Sequence, residues 1–131
     1  EAFDFKMIAA ACAWTGSHET PNSKSNVNIY QEIAKEKADL FLHLGDMHYE
    51  DIGTNDIPKR IKAIDTVLGT NQQDAFRNNG GLVYIWDDHD FTDNDSGRDS
   101  GEPGARQAAL QSYQMAFPHY PLAAATIVDN P

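Results

Sequence analysis

The chain has 131 residues, 40% of them hydrophobic, and a formal net charge of −10. That length suits one small domain with a single core, and the charge argues against nucleic acid or an anionic membrane surface as the main partner. No run approaches the roughly 18 apolar residues of a membrane span, and with Cys12 as the only cysteine an intrachain disulfide is excluded.

From Lys6 to Ala13 the sequence KMIAAACA is a nearly continuous apolar run, which predicts a strand buried on both faces. Residues Gly16 to Asn26, rich in Ser, Thr, Asn and Pro, read as a loop. Val27, Tyr30, Ala34 and Ala38 then recur at helical spacing, giving an amphipathic helix over 27–38. DLFLHL, Asp39 to Leu44, is a second buried strand that breaks at Gly45-Asp46. Strand, helix and strand in this order predict a parallel pair with a right-handed crossover.

After a polar loop, Ile57, Ile61, Ile64 and Leu68 mark a helix, with Pro58 in its first turn and Gly69 at its C-terminal cap. Asn71 to Arg77 predicts a further short helix, and Asn78-Asn79-Gly80-Gly81 a turn. The third strand is Leu82 to Trp86; beyond an aspartate-rich loop, Pro103 opens a helix through Ala116, and FPHYPL is irregular. The elements describe an α/β domain, a mainly parallel sheet with helices on its faces. A three-stranded sheet leaves an edge to be paired or covered, so the chain is expected to be part of a larger domain.

The three strands end at Cys12, Asp46 and Asp88, and ligands bind along the C-terminal edge of parallel sheets. Six aspartates, at 87, 88, 90, 93, 95 and 99, stand close together with only Arg98 to offset them. Each close pair repels by roughly 1 kcal/mol even in water. Oxygen and imidazole donors collected on one rim are what a hydrolytic metal site requires. Arg98 and Arg106 fit either attraction of a phosphate or balance of local aspartates. His43, inside the second strand, reads as a packed, hydrogen-bonded core residue. His18, His48 and His119 receive no role.

The motifs Gly45-Asp46-Met47-His48-Tyr49 and Asp87-Asp88-His89-Asp90, with Cys12 ending the first strand, resemble the signatures of calcineurin-type metallophosphoesterases. HLGDMHY, WDDHD and DDHDFTDNDSG resemble in particular the alkaline phosphatase D (PhoD-like) branch, over residues 5–122. The resemblance implies the N-terminal half of the catalytic domain, a partial αββα sandwich, over residues 1–131. It implies hydrolysis of phosphate monoesters or diesters by a metal-activated water. Cys12, Asp46, Tyr49 and Asp88 would be metal ligands for iron(III) and calcium, with other divalent metals as substitutes. His89 would contact the phosphoryl group or protonate the leaving group, with Asp90 orienting its imidazole; Asn94 would lie near the substrate.

Asp87 would support these ligands or cap the following turn. Where the superfamily begins with Asp-x-His, this chain has Cys12-Ala13-Trp14, so a thiolate would replace a carboxylate. The family's final Asp and His ligands have no counterpart in residues 98–131. A separate C-terminal half is therefore an expected partner, and the isolated chain is expected to turn over phosphate esters poorly. A secreted, periplasmic or cell-surface location follows from the resemblance alone. The rival reading is a non-catalytic acidic module that binds calcium or a partner through the loop from Asp87 to Asp99.

Overall fold

A computed structural model describes residues 4–12, 28–69, 75 and 78–118. The expected loop over 16–26, the short helix over 71–77 except Ala75, and the segment after Pro118 fall outside the described residues. The elements are β1 (Met7–Ala10), α1 (Asn28–Glu36), β2 (Leu40–His43), α2 (Ile57–Leu68), β3 (Leu82–Tyr84), α3 (Asp88–Phe91) and α4 (Ala105–Ala116). The strands form a parallel sheet in the order β1-β2-β3. The α/β class expected from the sequence is therefore present.

Pairing of Ile8 with Phe41 and Leu82, and of Ala10 with His43 and Tyr84, puts these six residues on one face of the sheet. Tyr30 and Ile33 of α1 cover Phe41, Ile8 and Ala10, together with Ala75. Ile64 and Val67 of α2 and Phe117 after α4 close over Tyr84 and Met47, with Tyr113 of α4 packed alongside. Tyr113 also donates its hydroxyl to the Tyr84 carbonyl at 2.8 Å, fixing α4 to the end of β3.

The opposite face was expected to be buried too. Instead Met7 is 53%, Val83 47% and Ile85 54% exposed. The cause is one-sided packing: among the described residues α1, α2 and α4 lie against the same face, and β1 is an edge strand.

Asp56 caps α2, accepting the Lys59 backbone N–H at 2.9 Å, with Pro58 in the first turn as expected. Gly69 follows the helix, but at φ −80° it does not use the left-handed cap conformation that its glycine character implies. The buried stripe of α2 also differs from the isoleucine series. It consists of Arg60, Ala63, Ile64 and Val67, so a cation occupies a core position. Among the described residues, no helix is long and apolar enough to cross a membrane.

Candidate metal centre

The strand ladders run past the assigned strand ends and carry the site residues with them. Leu44 N–H donates to the Ala10 carbonyl at 2.8 Å, Cys12 N–H to the Gly45 carbonyl at 3.2 Å, and Ile85 N–H to the His43 carbonyl at 3.1 Å. At Gly45, φ is +103°, and an added Cβ would lie 2.5 Å from the Asp87 Cβ. Only glycine lets the end of β2 come this close to the turn that follows β3. Asp46 therefore arrives beside Asp88.

Ligand atoms of Asp46, Asp88 and His89 lie within 4.8 Å of one another. Asp46 is buried; its Oδ2 accepts from the Tyr49 hydroxyl at 3.2 Å and from the Cys12 thiol at 3.6 Å, while its Oδ1 is buried without a hydrogen-bond partner. An unpartnered buried carboxylate oxygen beside a second carboxylate and an imidazole is a costly arrangement for a protein alone. It fits a cation. The five expected residues Cys12, Asp46, Tyr49, Asp88 and His89 thus come together, from three chain segments.

The electrostatics follow from this crowding. Burial, then the charge of Asp90, raises the Asp46 pKa despite the opposing effect of His89. Burial, then Asp46, raises both the Cys12 thiol and the Tyr49 phenol above their ordinary values. Both groups therefore hold their protons at neutral pH. Asp88 moves the other way: burial would raise it, but backbone N–H groups of Asp95 and His89 and the His89 charge outweigh that and lower it. It is ready as an anion.

His89 does not meet Asp90. Its Nδ1 lies 2.7 Å from Asp51 Oδ1, and its ring packs on Tyr49 with centroids 4.4 Å apart. Burial alone would lower the imidazole pKa, but the Asp51 hydrogen bond and the charges of Asp51, Asp46 and Asp88 raise it. Asp51, absent from the sequence expectations, fills the orienting position assigned there to Asp90. Asp90 instead accepts the backbone N–H groups of Met47 at 2.8 Å, His48 at 3.2 Å and Asp87 at 3.1 Å, tying the two site loops together. Burial pushes its carboxyl up to about 6, although these donors pull it down.

Asp87 is the N-cap of α3 within a capping box that includes Asp90, one of the two roles expected for it. Asn94 is exposed and donates to Asp95 at 2.8 Å; it lines a polar cleft of about 390 Å³ shared with Asp51, so it borders the His89 side of the centre. His43 is fully buried, within 3.1 Å of the Tyr30 hydroxyl through Nε2 and accepting from Gly45 N–H at 3.3 Å, the core role expected for it. His48 is buried with its Nδ1 unpartnered.

Arg60 was also not anticipated. It is 1% exposed, and its guanidinium donates to the carbonyls of Phe91 at 2.7 Å, Thr54 at 3.1 Å and Ile52. One buried cation thus holds the loop after Asp51 against the end of α3. Neither Asp51 nor Arg60 belongs to a recognisable motif; Asp51 offered only its nearness to Tyr49. No family model, curated protein or solved structure matches the chain.

Proposed function

We propose that this chain forms the metal-binding part of a phosphoesterase of the alkaline phosphatase D-like type, which hydrolyses phosphate monoesters or diesters with water as nucleophile. The observation that carries the reading is the convergence of Asp46, Asp88 and His89 within 4.8 Å around an unpartnered buried oxygen of Asp46. Cys12, Asp46 and Tyr49 would hold iron(III), and Asp46 with Asp88 calcium or another divalent ion; anionic sulfur and oxygen donors suit the first, carboxylates the second. When bound, such cations supply Lewis-acid charge to the phosphoryl oxygens and make a water acidic enough to attack near neutral pH.

The chain's own residues do the rest. Asp51 holds His89 through Nδ1, and the Tyr49 ring fixes its tilt, which leaves Nε2 to donate to a phosphoryl or leaving-group oxygen. A raised His89 pKa keeps that proton in place nearer neutrality. Asp46 fixes the thiol and the phenol at one point. Asp90 and Arg60 keep the two loops in register. On the same reading the sheet is one layer of an αββα sandwich, and the exposed face of Met7, Val83 and Ile85 turns toward a second layer in the remaining half of the domain.

Metal analysis and absorption spectroscopy of natively purified protein test this. The expected result is tightly held iron with a tyrosinate-to-iron absorption band that disappears in Tyr49→Phe, and metal content that falls in Asp46→Asn. A colourless protein that takes up calcium alone, unaffected by Asp46→Asn, would instead favour an acidic binding module.

A further inference from the structure

A second cleft, of about 340 Å³, is lined by Trp86, Phe91, Arg98 and Arg106 together with Asp87 and Asp88. Trp86 and Phe91 form its half-buried aromatic wall, with ring centroids 6.1 Å apart. Arg98 and Arg106 are both exposed, and neither forms an ion pair with any described residue. In a chain with 20 acidic and 10 basic residues, acidic partners are abundant, and the aspartates at 87, 88, 93, 95 and 99 surround this region in sequence. Direct pairing with local aspartates therefore does not occupy either guanidinium among the described residues. Arg106 also stands in the first turn of α4, which has no acidic residue, and there the helix dipole disfavours a cation.

We infer that this cleft is a substrate subsite for a second anionic group, a carboxylate or phosphoryl carried on the leaving group of the ester whose phosphoryl sits at Asp46, Asp88 and His89. The inference rests on the proposed function for the placement of the reacting phosphoryl, and on Arg98 and Arg106 for the rest. Asp88 belongs to both the centre and the cleft wall, so an ester bound at the centre reaches the cleft through its leaving group. A planar leaving group passes along Trp86 and Phe91, and the planar guanidinium forks pair with the distal anion. Against the net negative charge of the chain, these two cations select such esters over ones with a neutral tail.

The test compares phenyl phosphate with 4-carboxyphenyl phosphate, two probes that differ only in the distal anion. Binding to the 131-residue chain is measured by calorimetry with and without added iron(III) and calcium. The carboxylated probe is expected to bind about tenfold tighter, and Arg98→Gln with Arg106→Gln should bring that ratio to about one. Arg98→Lys with Arg106→Lys, which keeps the charge, should recover part of it, and circular dichroism of each variant excludes loss of the fold. A ratio near one in the unsubstituted chain, or a tenfold ratio that survives the double glutamine variant, would overturn the inference. Metals bound with a ratio of one would sink the subsite and leave the proposed function standing. An arginine-dependent ratio in a chain that takes up no metal would do the reverse.

Discussion

Asp46 shows how much of the site depends on single side chains in strained positions. Its φ is +54°, and Cys12 and Asp51 sit at +55° and +46°, so three residues of one centre occupy the left-handed region. Each such residue costs roughly 1–2 kcal/mol. Strain collected at one place, next to an unpartnered buried oxygen, persists only because the surrounding fold holds these residues in position. The residue with the clearest separate test is Asp51. Because its carboxylate is what raises His89 against the effect of burial, Asp51→Asn should lower the His89 pKa, read from the ring-proton shifts in an NMR titration. An unchanged titration would mean that Asp51 does not set the imidazole's charge. Cys12, Asp46 and Asp88 were legible in the sequence because each stands where an apolar run ends, whereas Tyr49 and His89 were singled out only by the resemblance of GDMHY and DDHD to metallophosphoesterase signatures. Asp51 was not, since a polar residue in a polar loop carries no periodic signal, and only the third dimension brings it to His89.

Between elements, the decisive contacts are a glycine and an arginine. Gly45→Ala would drive a Cβ to 2.5 Å from the Asp87 Cβ at a positive φ. Overpacking and backbone strain together should cost about 2–4 kcal/mol, measured by urea denaturation, with metal uptake falling in the same variant. Full metal uptake by a normally stable Gly45→Ala protein would show that the close approach is not needed. Arg60→Met should cost about 3–5 kcal/mol, because the carbonyls of Ile52, Thr54 and Phe91 lose their donor. Amide exchange in residues 50–54 and 88–92 should rise more than in β2. The sheet and its helices were readable from hydrophobic spacing, with strands shorter than the apolar runs that announced them. The α2 register was not readable, because an arginine that hydrogen-bonds only to backbone carbonyls looks from sequence like a solvated residue. The short helix α3 was hidden as well. Its aspartates read as a turn, and its capping box appears only once Asp87 and Asp90 are seen to clasp the same backbone.

At the scale of the whole molecule, the one-sided packing and the charge set the behaviour. Val83→Thr and Ile85→Thr replace side chains that are about half exposed, so each should change stability by no more than roughly 0.5 kcal/mol while reducing binding of a hydrophobic dye. A large loss of stability would mean that this face is packed in the isolated chain. Stability should also fall with acid through His43, whose pKa burial lowers to about 4 from an unfolded value near 6.5. The unfolded chain binds the extra proton first, so this contribution is complete above about pH 6.5 and is lost progressively down to about pH 4, amounting to about 2 kcal/mol at pH 5. Asp90, raised to about 6, acts in the opposite direction, so the comparison is with His43→Gln, which should flatten the slope over this window. An identical slope in both proteins would remove His43 as its source. The most direct test of the centre itself is titration of the chain with manganese(II) followed by NMR line broadening. The account predicts that the amides of Cys12, Asp46 to Tyr49 and Asp88 to His89 broaden first and together. Broadening centred on Asp93 to Asp99, with Cys12 and Asp46 untouched, would contradict it.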